Sequence, residues 1–187
     1  TASKELNYER AATLRDKIRS LEKTNHTFKN LYKNIEEADI FSIVSIDKQV
    51  AVEITFCRNG QNFGSNTHFV ENKIEDELGL ILQKFMVQFY TTQNIPKTII
   101  ISQDIYEKKL LENAFLSKAK SKVNIILAKK GNTKLIVKEA IKSAEINLAK
   151  KISEMNKTKN LLDKLKSKFS FVNNVNNIEV YDNSHFS

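Results

Sequence analysis

Asp182, in the string IEVYDNSHFS at 178–187, stands where a short apolar strand would end. From there a carboxylate can hold a divalent cation at the edge of a sheet, the first requirement of metal-assisted phosphodiester hydrolysis. That chemistry needs several carboxylates around one or two ions, and residues 183–187 add none. The same Asp-Asn pair also makes an ordinary turn after an edge strand. Ser184 and His185 are neighbours in sequence and do not read as nucleophile and base without a third, orienting group. No GxxxxGK[ST] or GxGxxG string occurs, which excludes the glycine-rich loops that cradle nucleotide phosphates. One cysteine, Cys57, excludes an internal disulfide, and His26, His68 and His185 are too scattered for a zinc centre.

Binding chemistry is better represented. The net charge of +8 is concentrated between 129 and 168, where 12 Lys face 4 acidic residues, while 1–128 is close to neutral. Lys134, Lys138 and Lys142 lie four residues apart, one stripe of a helix, and with Arg58 they are the candidate DNA contacts. Each neutralised phosphate releases counterions and adds salt-dependent affinity. A chain rich in Lys, Asn and Ile carries such a stripe as plain solvation too. Near the start, Tyr8, Ala11, Ala12, Leu14 and Ile18 recur at spacings of three and four, with Glu9, Arg10 and Arg15 beside them. This is an apolar seam with a charged rim, suited to a partner helix or to covering the following domain.

The elements that would carry these residues follow from periodicity. A helix is expected over 5–34. From Asp39 the period changes to two, with Ile40, Val44, Val50, Val52 and Ile54 alternating in runs broken at Asp47-Lys48 and at Asn59-Gly60, so a three-stranded meander is expected through about Phe69. Next come a helix at about 73–91, a strand at 98–102, a helix at about 104–117 and a strand at 123–128. After Gly131 a long helix is expected because Ile141, Leu148, Met155, Leu162 and Phe169 recur every seven residues. A break near 156–160 and a dimeric coiled coil are both compatible with that repeat. A last strand is expected at 178–181. The fold class is α+β.

Hydrophobic residues at 41% and charged residues at 28% describe a chain that folds in water. The most apolar stretch, 78–90, is interrupted by Gln83, Lys84 and Gln88 and is shorter than the roughly 20 residues of a bilayer span. The charged opening TASKELNYER has no signal-peptide core, so cytoplasmic residence is expected.

Three strings point to one family. LNYERAATLRDKI at 6–18 resembles the UVR motif, the helical hairpin through which UvrC proteins dock onto UvrB. FCRNGQNFGSNTHF at 56–69, followed by Gln88-Phe89-Tyr90, resembles the middle-region hairpin of UvrC. IEVYDNSHFS resembles the entry strand of the UvrC nuclease domain, which is RNase H-like. The resemblance implies a UVR helical motif at 1–36 that docks UvrB through Tyr8, Glu9, Ala11, Ala12, Leu14, Arg15 and Ile18. A middle α+β domain at 37–130, a long basic helix and linker at 131–177 and the start of an RNase H-like endonuclease domain at 178–187 complete the division. It further implies nucleotide excision repair with DNA and UvrB as partners, and Mg²⁺ or Mn²⁺ in the complete nuclease with Asp182 as its first metal-binding carboxylate. The later acidic residues, the GIY-YIG domain and the helix-hairpin-helix module have no counterpart in these 187 residues, so the chain alone is expected to be inactive.

Overall fold

The computed structural model describes residues 10, 12–16, 31–71, 76–175, 178, 179 and 181. Its centre is a five-stranded sheet built from β1 (Glu37–Ile46), β2 (Gln49–Arg58), β3 (Gln61–Glu71), β4 (Thr98–Ile101) and β5 (Asn124–Leu127), in the order β3-β2-β1-β4-β5. β1, β2 and β3 pair antiparallel, while β4 and β5 are parallel to β1. α1 (Leu78–Thr92) connects β3 to β4, α2 (Lys108–Ala119) connects β4 to β5, and α3 (Gly131–Lys168) follows β5. The α+β architecture is therefore as the sequence predicts.

Both hairpins close over two residues in the left-handed region. Asp47 and Lys48 have φ of 49° and 65°, Asn59 and Gly60 of 51° and 70°. This geometry matches the natural twist of paired strands. A side chain at Gly60 would crowd the Lys33 carbonyl oxygen at 3.2 Å. The second turn is pinned to the preceding segment, since the Asn59 amide donates to the Glu36 carbonyl (2.6 Å) and the Gly60 amide to that of Ile35 (3.0 Å).

Strand alternation sorts the core into two layers. Phe41, Ile43, Val50, Val52 and Ile54 meet Leu82, Met86 and Tyr90 of α1 and Leu111 and Phe115 of α2. On the other face Ala38, Ile40 and Cys57 meet Ile136 and Val137 of α3, while Val44 and Ala51 meet Ala144 and Leu148. The first half of α3 is thus a layer of the sheet domain, although the sequence reading ends that domain at 130.

Helix starts differ from expectation. α1 begins at Leu78 rather than 73; Asp76 and Glu77 are not helical, and 72–75 lie outside the described residues. α2 begins at Lys108 rather than 104 because Glu107 sits at φ 45°, and Asp104 meanwhile uses its side chain to accept from the Ile105 amide at 3.1 Å. Lys118 of α2 donates to the carbonyls of Tyr90 and, at 2.7 Å, Thr91, capping the open C-terminal end of α1. α3 runs through 156–160 without a break. Ile178, Glu179 and Tyr181, where a last strand is expected, are not in a strand and have no pairing partner among the described residues; Val180 lies outside them.

Candidate partner and nucleic-acid interface

α3 has two kinds of surface. Ile136, Val137, Ala140, Ala144 and Leu148 are buried on the sheet, and the opposite side exposes Lys134, Lys138 and Lys142 as one stripe. The structure thus brings these three candidates together on one solvent-facing line. Beyond Ile152 no residue of α3 is buried. Of the seven-residue repeat, Ile141 and Leu148 pack against the sheet, while Met155 and Phe169 are exposed. The repeat is shared between a core and a projecting tail and does not form one continuous coiled-coil seam.

In the N-terminal segment Arg10 and residues 12–16 are helical, as expected. Ala12 is half-buried, Leu14 is 46% exposed, and Arg15 approaches Asp16 at 3.6 Å with both side chains in solvent. An exposed leucine on a charged helix is what a docking seam requires. Tyr8, Glu9, Ala11 and Ile18 lie outside the described residues, as do most of the 5–34 helix and Asp182.

Arg58 is placed differently from the lysines. Its guanidinium turns back onto its own sheet, 2.8 Å from the Asp39 carboxylate, and donates to the carbonyls of Ala38 (3.0 Å) and Cys57 (2.8 Å). Tyr90 completes the group by donating its hydroxyl to Asp39 at 2.9 Å. Burial pushes the Asp39 carboxyl above the usual carboxylate range, against the opposing pull of Arg58 and Tyr90. The Tyr90 phenol is also raised, first by burial and then by the Asp39 charge. Arg58 thus neutralises a carboxylate that is 1% exposed. A single acidic residue at an inward position of the run ADIFSIV was the available sequence signal for this group.

A second polar group separates the sheet from α3. Glu53, 1% exposed, accepts from the hydroxyls of Thr67 and Ser143, the latter at 3.1 Å. Asn147 in turn donates to the Thr67 hydroxyl at 2.7 Å. Ser143 and Asn147, one helical turn apart, therefore reach the sheet together. Nothing in their spacing alone marks them.

Among the described residues no three His, Cys, Asp or Glu side chains group to hold a metal; Asp182, the carboxylate that the resemblance assigns to the divalent ion, lies outside them. What they display is an α+β scaffold, a short helical segment with Leu14 exposed and a lysine stripe on one face of α3.

Known proteins specify the family. The UvrB/uvrC motif matches residues 1–24, and the UvrC Ribonuclease H-like domain matches residues 37–151. The second match falls on the sheet and the first half of α3, not on 178–187. The chain is 33% identical to the UvrABC system protein C of Hyphomonas neptunium and 34% identical to those of Bartonella quintana and Bradyrhizobium diazoefficiens. Each alignment covers 98% of this chain but only 30%, 27% and 27% of the relatives' lengths. The chain belongs to the UvrC family.

Proposed function

We propose that this chain serves nucleotide excision repair as part of a UvrC-type subunit, docking on UvrB through its N-terminal helix and holding DNA on the lysine stripe of α3. The observation that carries this reading is the UvrB/uvrC motif at 1–24, standing ahead of the sheet domain with Leu14 exposed. Incision beside the lesion belongs to the complete protein, with Asp182 as the first carboxylate of a Mg²⁺ or Mn²⁺ site whose other donors are supplied elsewhere. The whole acts in the cytoplasm, and no described helix is long and apolar enough to cross a membrane.

Each large apolar side chain of the seam contributes about 1.5–3 kcal/mol when buried, and association costs on the order of 4–15 kcal/mol, so micromolar affinity is expected. Titration calorimetry of this chain against the C-terminal hairpin of UvrB tests the docking. Saturable heat that disappears in Leu14→Asp supports it, and no heat at high micromolar concentration removes it. For DNA, affinity is expected to fall steeply from low to physiological salt. Charge reversal at Lys134, Lys138 and Lys142 should flatten the salt dependence by about one unit of slope for each phosphate that is no longer neutralised. An unchanged slope refutes a role for the stripe in holding DNA.

A further inference from the structure

Where β1 begins and β2 finishes, a cavity of about 590 Å³ opens between the β4–β5 face and the first turn of α3. That is the size of a small-molecule pocket, and its whole lining lies among the described residues. The floor is apolar: Ile100 and Ile126 are partners in the β4–β5 register, and Ile126 stays 43% exposed because α3 packs across β1 and β2. One wall is fixed, since the amides of Asn59 and Gly60 hold the β2 turn against Glu36 and Ile35. Around the floor stand the side chains of Asn34, Glu36, Asn59, Lys97 and Thr98, and none of these five has a hydrogen-bond or ion-pair partner among the described residues. Arg58 and Glu37 also reach the lining but are committed, 3.8 Å from each other, with Arg58 2.8 Å from Asp39. The two free charges, Glu36 and Lys97, cancel. A charge-balanced cavity with an apolar floor and unused donors and acceptors does not select a phosphate; it suits a flat, neutral ring with a polar edge. Cations stand beside it all the same: Lys97 is exposed, and Lys134, the first lysine of the α3 stripe, follows Thr133 of the lining.

We propose that this cavity takes one unpaired nucleobase from DNA held on the lysine stripe, an inference that rests on the DNA reading above. Ile100 and Ile126 carry the ring, and the Glu36 carboxylate accepts from an exocyclic amino group. Asn34, Asn59 and Thr98 meet the rest of the polar edge, while Lys97 and Lys134 take the flanking phosphates. A paired base enters only by giving up its stacking and pairing, so the cavity selects DNA in which a base already stands out of the helix. Thymine, which has no amino group to offer a carboxylate, is disfavoured.

Nuclear magnetic resonance titration of the full 187-residue chain with deoxycytidine 5′-monophosphate, deoxythymidine 5′-monophosphate and inorganic phosphate tests the cavity by itself. Amide shifts at 34–37, 59, 98, 126 and 133 are expected with the cytosine nucleotide at a dissociation constant on the order of 1 mM. Binding should be about fivefold weaker with the thymine nucleotide, and phosphate alone should leave those amides unmoved. Glu36→Ala should remove the difference between the two nucleotides, and Ile126→Trp, at an exposed position, should fill the cavity and abolish the shifts. No shift with the cytosine nucleotide overturns the proposal, as do equal shifts from phosphate alone or shifts that survive Ile126→Trp. Fluorescence anisotropy with a short duplex, fully paired or carrying one extra unpaired cytosine, then separates the cavity from the stripe. A preference of about fivefold for the unpaired cytosine, lost in Ile126→Trp while affinity for the paired duplex is kept, supports the proposal. Equal affinity for the two duplexes overturns it and leaves the stripe standing. Failure of the stripe shows separately, as paired-duplex binding that charge reversal at Lys134, Lys138 and Lys142 leaves unchanged, and that result refutes DNA on the stripe as the source of the base.

Discussion

The two faces of the sheet solve the burial of charge in different ways. Under α1 and α2, Asp39 is matched by a full counter-charge, Arg58, and by the Tyr90 hydroxyl, inside a layer otherwise packed by apolar and aromatic shape. Under α3, Glu53 is matched by hydroxyls, and no ion pair involves it among the described residues. Charge matching is strong and tolerant of angle, whereas hydroxyl bonds are weaker and directional. The first face is therefore held by bulk and an ion pair. On the second, Ser143 and Asn147 set which turn of α3 faces which strand.

The widest separation between the faces comes from breaking the ion pair. Arg58→Ala leaves Asp39 buried and unmatched and should cost about 3–5 kcal/mol, measured by urea unfolding. A fold of unchanged stability with weakened DNA binding would return Arg58 to a nucleic-acid role. Leu148→Ala, on the α3 face, should cost about 2–5 kcal/mol. Glu53→Ala should cost about 1–3 kcal/mol by stranding the Thr67 and Ser143 hydroxyls; a loss as large as that of Arg58→Ala would erase the distinction drawn between the faces.

Tyr32, which packs on the α3 face, gives a pH signature. Burial, and then the Cys57 charge, push its phenol up to about 12, above its unfolded value of about 10. The folded state thus favours the neutral phenol, a contribution complete below pH 10 and lost as the pH rises toward 12. A fall in stability over that window that is smaller in Tyr32→Phe is expected. The smallest effect belongs to the projecting tail: Leu162→Ala should stay within about 0.5 kcal/mol, and a larger loss would mean that the tail packs on something.

Much of this was legible in the sequence because it is local. Asp47-Lys48 and Asn59-Gly60 fixed both turns, and alternation from Ile40 to Ile54 fixed the meander. α3 was legible from its seven-residue repeat, although Asn156 and Asn160 suggested a break; in a solvated helix each costs only about 0.7 kcal/mol relative to Ala, too little to stop it. What failed was tertiary. α1 starts late where Gly79 packs so closely on the Asp104 carbonyl that any side chain there would collide. Arg58 reads as a free cation on a hairpin until Asp39, 19 positions earlier, folds beside it. The lysine stripe, needing only helical spacing and exposure, came through intact.

The unbroken course of α3 also sets a distance. At 1.5 Å per residue, the 16 residues from Ser153 to Lys168 place its end about 24 Å beyond the sheet, on the order of seven base-pair steps of duplex DNA. A disordered linker of equal length would span a similar mean distance of roughly 22 Å without fixing its direction. The helix makes the interval from the sheet to Phe169 a measured and aimed offset, so that inserting or deleting a few residues in it would rotate everything beyond as well as displace it.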